Sequence, residues 1–268
     1  VKSIAILFAA GLLCLGAAAQ EKKSEKEKKK EAKREKINQI VRLEEEGESA
    51  FRKHSMFGFR FHTDGYGISY EIGRTKSVTR TLIYQVELNE KKHRKEERQS
   101  RSDGAVVFGN PFVYGKQNNF YQLKLGIGQQ YMIGGKANKN GVGVYAIMAG
   151  GLSLGLLKPY YLDVESPPNS GRVLSVKYSK ADSALFMGNS ILGATGLFKG
   201  WGEIKLKPGL HAKAGLRFDW GRFNNSISAA EVGFNAEFYP GKVEQMVGLK
   251  PNALFFNGYL TLLFGNRK

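Results

Sequence analysis

The sequence predicts an all-β chain, an antiparallel transmembrane β-barrel of about eight strands (ten possible), preceded by a charged, partly helical tail. Three observations carry this. From Phe57 onward, apolar and polar residues alternate with period two, as in strands with two unlike faces. The polar face carries both signs of charge. The 33 glycines and 12% aromatic residues suit closely packed strands, and seven prolines are too few for a disordered chain.

The N-terminus is read first. Lys2 precedes the apolar run Ile4 to Leu15, and Ala17, Ala18 and Ala19 supply small side chains before Gln20. This is the layout of a secretory signal peptide over residues 1–19. The run is shorter than the roughly 20 apolar residues a spanning helix needs. Cys14 raises lipidation as an alternative, although bulky Leu13 stands where a small residue is expected. With the signal removed, the mature chain has no thiol, which excludes disulfides, thiolate metal sites and a cysteine nucleophile.

Residues 20–55 are expected to form a charged periplasmic tail. Glu and Lys dominate to Lys36, and Ile37, Ile40, Val41 and Leu43 then fall at helical spacing. Two roles stay open, a solvated spacer and a docking helix for a partner. Much of the excess behind the net charge of +17 lies in Lys22 to Lys36 and Lys91 to Arg101. An exported protein meets little nucleic acid, but it does meet lipid phosphates, which attract such lysines and arginines.

Residues 56–268 are expected to be the barrel. Phe57, Phe59 and Phe61 alternate with Gly58, Arg60 and His62. After Asp64-Gly65 the phase shifts, and Ile68, Tyr70 and Ile72 become the apolar set. A hairpin and a β-bulge both explain the shift. The bulge is preferred, since each half looks short against the roughly 9–11 residues of a spanning strand. Leu82, Tyr84, Val86 and Leu88 mark the next strand, and Tyr121 to Ile127 another. Lys136 to Gly141 reads as a turn. Val142 to Leu156 reads as a long glycine-rich strand. Residues 159–200 are irregular, with a short strand at Arg172 to Tyr178 and room for an added hairpin. Leu210 to Trp220 and Ala230 to Phe238 pair across a turn at Asn224-Asn225, and Phe256 to Phe264 closes the chain. About seven strands are visible, and an even number is expected.

Alternation does not say which face meets lipid. In a membrane barrel the apolar face is outside and the charges are inside. On that reading Arg60, Glu71, Glu87, Lys124, Lys213, Arg217, Asp219, Glu231 and Glu237 form an interior charge network. Buried charges must pair, since an unpaired one is very costly, and a small barrel filled with such pairs has no open pore.

Tyr259-Leu260-Thr261-Leu262-Leu263-Phe264-Gly265 is amphipathic with an aromatic near its end. It resembles the terminal strand by which outer-membrane barrels are recognised for insertion. Gly265-Asn266-Arg267-Lys268 resembles the ending of small barrels of the Bacteroidota, including the PorT-like outer-membrane β-barrel proteins. The likeness spans residues 57–268 as a pattern. It implies a cell outer membrane location and an association with secretion and gliding machinery, though no motif carries that role residue by residue.

His62 and His211 lie on the polar face near Asp64 and Asp219 in sequence, and Ser69 would complete a hydrolase site. The competing role for both histidines is membership of the interior hydrogen-bonded network. No histidine spacing suggests a metal site, and no phosphate-binding loop or other cofactor motif is present. Glu90 to Arg98 and Phe108 to Gly115 read as loops. The first is a solvated extension or a lipid-phosphate contact, and the second packs over the barrel mouth or meets a partner. The expected function is a non-enzymatic anchor or accessory subunit of an envelope assembly. Its partners would be outer-membrane lipids and a protein bound through residues 20–55 or 108–115. An outer-membrane lipid-modifying hydrolase and a small-solute transporter are the alternatives.

Overall fold

The computed structural model describes residues 52–103, 106–136, 141–167, 170–221 and 226–268, with scattered positions between 27 and 38. The chain divides into two units, Val1–Ala50 and Phe51–Lys268. In the first, the described positions, among them Glu27, Lys30 and Glu35, are helical and exposed. The signal segment 1–19 and the stripe Ile37, Ile40, Val41 and Leu43 lie outside the described residues.

In the second unit, eight strands among the described residues close into an antiparallel barrel. They are β1 (Lys53–His62), β2 (Gly65–Ser77), β3 (Arg80–Lys91), β6 (Asn118–Gly134), β7 (Gly143–Pro159), β11 (Lys205–Asp219), β12 (Ser226–Val243) and β13 (Asn252–Arg267). The order around the wall is β1-β13-β12-β11-β7-β6-β3-β2, and the first strand pairs with the last. Closure leaves no sheet edge, so every wall strand is hydrogen-bonded on both sides.

Asp64-Gly65 is not a bulge. His62 pairs with Gly65 across a two-residue turn, Thr63-Asp64, so β1 and β2 form a hairpin. In a two-residue hairpin, directly paired residues share a face while their numbers differ in parity, which produces the phase shift. Neither half is short, because β1 begins at Lys53, inside the segment expected to be tail, and β2 runs on to Ser77. Counting this hairpin as one strand is what left the eighth missing. Residues 159–200 add no wall strand. The expected turns at 136–141 and 224–225 fall wholly or largely outside the described residues.

The connections differ at the two ends. β2 and β3 are joined by Val78-Thr79, at the end where β1 starts and β13 finishes. At the other end lie the long connections 92–117 and 160–204. These carry structure of their own. β4 (Arg98–Asp103) pairs with β5 (Val106–Val113), and β8 (Tyr161–Glu165), β9 (Val173–Lys177) and β10 (Ile191–Ala194) form a small sheet of order β10-β8-β9. A short helix, α1 (Ser183–Phe186), and a 3-10 turn, Trp201–Glu203, complete this cap. Its core is Phe112, Leu162, Val164, Phe186 and Ile191. Asn110 Nδ2 donates to the Ala194 carbonyl (3.2 Å) and ties β5 to β10.

The wall is inside out relative to a soluble protein. Its exterior exposes Phe59, Ile68, Val86, Leu125, Met148, Leu210 and Phe234, while charged residues are buried within. In water this exterior would be a very large apolar patch; against hydrocarbon it is the favoured surface. Aromatic side chains mark both rims. Phe61, Tyr66 and Tyr121 stand towards the cap, and Tyr131, Trp220 and Phe264 towards the chain termini.

Candidate functional site

Inward side chains come from alternate residues of each strand, and their sizes are matched across the lumen. A Cβ on Gly215 or Gly233 would lie 2.7 or 2.9 Å from the Tyr259 hydroxyl, so these glycines make room for that ring. In the same way Gly73 leaves space for the imidazole of His54.

Arg217 is the hub. It stands on β11, diametrically opposite β2 in the wall order, and reaches across to Glu71 with two parallel hydrogen bonds of 2.7 Å. Two further bonds go to Glu231 Oε2, at 3.0 and 2.6 Å, and another to Gln130 (2.9 Å). The bidentate geometry fits a guanidinium better than an ammonium. Arg60 pairs with Glu87 and donates to Thr261 Oγ1 (2.8 Å). Lys213 lies between Glu87 (3.3 Å) and Glu231 (3.2 Å). Lys124 pairs with Glu237 across the lumen, and Lys91 bridges Glu237 (2.8 Å) and Asp64 (3.1 Å). Asp219 sits apart, near the terminal end, held by Arg267 and Lys136.

All nine residues of the expected network are therefore inside, eight of them in one connected set and Asp219 in a second. Uncharged members join them. Gln85 donates to Glu71, Gln122 to Glu237 (2.6 Å), and the Tyr259 hydroxyl to Glu231 (2.8 Å). Selection on charge alone does not find these, and Lys91 lies beyond the strand expected at Leu82 to Leu88. The same alternation that places Glu87 and Lys124 inside also places Gln85 and Gln122 there.

Apolar clusters pack inside the barrel on either side of the charged section. Towards the cap stand Phe120, Leu157, Tyr239 and Val243, with Phe255 beside them. Towards the termini stand Met56, Ile227, Ala229 and Leu263, and separately Ile83, Ile147 and Ala149.

The hydrolase arrangement is not assembled. His62 lies within hydrogen-bond reach of Asn257 (3.1 Å) and Asn89 (3.3 Å), and Ser69 Oγ donates to the Gly58 carbonyl (3.5 Å). His211 occupies space over Gly126, eight residues along β11 from Asp219. Among the described residues no cluster of three or more His, Cys, Asp or Glu side chains could hold a metal. The segment 108–115 is largely used within the chain. Phe112 and Val113 are buried, and the Tyr114 hydroxyl donates to the Met187 carbonyl (2.7 Å). Of the 90–98 segment, Glu90 and Lys91 belong to β3.

A closed antiparallel wall, an apolar exterior with aromatic rims and a salt-bridged interior define the class, an outer-membrane β-barrel. No protein-family profile matches the chain, and no curated protein matches it. Solved structures show a distant resemblance to it. The N-terminal β-barrel domain of Pseudomonas aeruginosa OprF is 13% identical, covering 80% of this chain and 98% of that one, with a TM-score of 0.34. Ail, the attachment invasion locus protein of Yersinia pestis, is 11% identical over 81% and 96%, with a TM-score of 0.34. Neisserial surface protein A is 8% identical over 82% and 98%, with a TM-score of 0.39.

Proposed function

We propose that this protein is a non-enzymatic anchor or accessory subunit of an envelope assembly, held in the outer membrane by a barrel that conducts nothing. The observation that carries this reading is the filled lumen. Charged struts such as Arg217 to Glu71 cross it, and apolar clusters pack beside them towards either end. A conduit needs a continuous polar path, which larger barrels have and one filled with side chains lacks. In outer-membrane barrels the short turns face the periplasm and the long loops face outward. On that orientation the cap is extracellular, and β1 is entered from the periplasm by the charged residues 20–52, behind a cleaved leader at 1–19. Of the two surfaces considered for a protein partner, 108–115 is partly taken up by the cap, through Phe112 and Val113, and we assign the docking role to the tail. The likeness of the terminal residues to PorT-like Bacteroidota barrels agrees with a place beside secretion or gliding components. The outer rim would contact lipid phosphates through its lysines.

Planar-bilayer recording tests the closed lumen, with no unitary current steps expected from protein that shows heat-modifiable gel mobility. Reproducible steps would turn the reading towards a transporter. Deleting residues 20–52 is expected to leave that mobility intact and to abolish co-purification of a periplasmic protein. If the truncated barrel keeps its partner, the tail is only a spacer.

A further inference from the structure

One row of outward positions near the cap runs, strand to strand, Phe61, Tyr66, Glu90, Tyr121 and Leu156. Each is directly paired with the next. A groove of about 490 Å³ follows this row on the outer wall. Trp201, from the 3-10 turn of the cap, lies at its end and stacks on Tyr121 with ring centroids 5.9 Å apart and planes 16° apart. The segment before Trp201 is turned outward, with Leu197 78% and Phe198 92% exposed. Arg60 and Asn89 border the groove but turn their side chains into the lumen; of the outward side chains only Glu90 is charged, and it accepts a hydrogen bond from the Tyr66 hydroxyl (2.7 Å). A carboxylate on the outer wall is costly in hydrocarbon, so Glu90 fixes this row at the boundary between acyl chains and headgroups.

Cations stand immediately above the row. Lys92 and Lys158 are each two residues nearer the cap than Glu90 and Leu156, a rise of about 7 Å along the strand. Lys158 belongs to β7 and Lys92 directly follows the last residue of β3; only β6 stands between those strands, so the two lysines lie roughly two strand spacings, about 10 Å, apart. Lys92 is exposed, its ammonium 5.3 Å from the Tyr66 ring centroid. Lys158 is buried under Trp201, 5.1 Å from its centroid, and donates to the Leu197 carbonyl. It has no carboxylate within salt-bridge distance among the described residues, unlike the lumen cations.

We propose that this groove is a binding site for one anionic lipid of the leaflet at the cap end, with an acyl chain along the row and its phosphate beside Lys92 and Lys158. Leu197, Phe198 and Trp201 enter the same leaflet and cover the site. The order of surfaces, apolar row first and cations one step outward, is that of an acylated phosphate. The assignment rests on the outer-membrane reading and gives its lipid contact a location.

The chain has two tryptophans, Trp201 and Trp220, at opposite rims. That provides the test. Full-length Trp220→Phe protein, reporting only Trp201, is folded into phosphatidylcholine vesicles containing equal mole fractions of either dibrominated phosphatidylglycerol or dibrominated phosphatidylcholine. Trp201→Phe protein, reporting only Trp220, serves as the insertion control. Trp201 is expected to be quenched more by the anionic lipid. Lys92→Gln, an exposed change, and Lys158→Gln should each lower that excess, by up to about five-fold in local enrichment per lysine, without changing quenching of Trp220. Equal quenching of Trp201 by both lipids overturns the site, and so does an excess that survives in folded Lys92→Gln protein. Quenching of Trp220 but not Trp201 would mean that the cover lies clear of the leaflet, and overturns it too. If neither tryptophan is quenched by either lipid, the membrane reading itself fails along with the site.

Discussion

Arg217 concentrates the energetic problem of this interior in one side chain. It is 2% exposed and hydrogen-bonded to two carboxylates that are themselves buried. Its removal strands Glu71 and Glu231 in a medium that solvates them poorly. Breaking a buried pair from one side costs about 3–5 kcal/mol, whereas replacing the whole group with neutral residues of similar volume is often close to neutral. Arg217→Ala is therefore expected to lower the urea unfolding free energy in vesicles by about that amount. Arg217→Met combined with Glu71→Gln and Glu231→Gln should recover much of the loss. A triple variant no more stable than Arg217→Ala would show that the charges contribute net stability. Glu71, Glu231 and Arg217 could be found from their alternation in sequence, because each strand supplies its own parity. That Arg217 spans the lumen to β2 could not. The span depends on strand order and closure, and neither leaves a local trace.

At the scale of the element, hydrophobic period two carried most of what sequence could give. It located β3, β6, β7, β11, β12 and β13 because each has one face against lipid and one against charge. It misled at the first hairpin, where parity reversal across Thr63-Asp64 looks the same as a bulge until the partner strand is known. It was silent for β4, β5, β8 and β10, which form small sheets outside the wall and carry no sustained alternation. The wall strands also make the face assignment testable. Leu216 and Val232 are direct cross-strand neighbours on the exterior, each well inside its strand. Leu216→Arg and Val232→Arg should each destabilise the folded barrel in vesicles by roughly 2–4 kcal/mol if they sit near the midplane. Folding yields equal to wild type for both would reverse the faces. The inward neighbour Glu231 should respond differently. Glu231→Gln keeps its volume and its hydrogen-bonding reach, and the loss it causes comes from Arg217 and Lys213.

The unit Phe51–Lys268 is built on two levels that use opposite solvents. The wall satisfies its backbone by closure and buries charge, while the cap packs Phe112, Leu162, Val164, Phe186 and Ile191 into a small conventional core. Wall stability should then depend little on the cap, since β7 and β11 pair directly from Lys205-Leu157 to Asp219-Gly143 without any cap residue in the register. The cap reaches the wall at a few points, among them Lys158 to the Leu197 carbonyl and Trp201 on Tyr121, both at the rim nearest the cap. In the cap, the Lys177 ammonium and the Tyr161 hydroxyl hydrogen-bond Glu203 and hold its carboxyl below the usual carboxylate range, fixing the turn that carries Trp201. Replacing residues 162–200 with a short Gly-Ser linker is therefore expected to leave heat-modifiable mobility and the urea midpoint of the wall nearly unchanged. The same change should expose Phe112 and make the 92–117 connection sensitive to added protease, because its partners in the cap core are gone. If the linker variant fails to fold into vesicles, the cap helps to close β7 against β11, and the two levels fold as one.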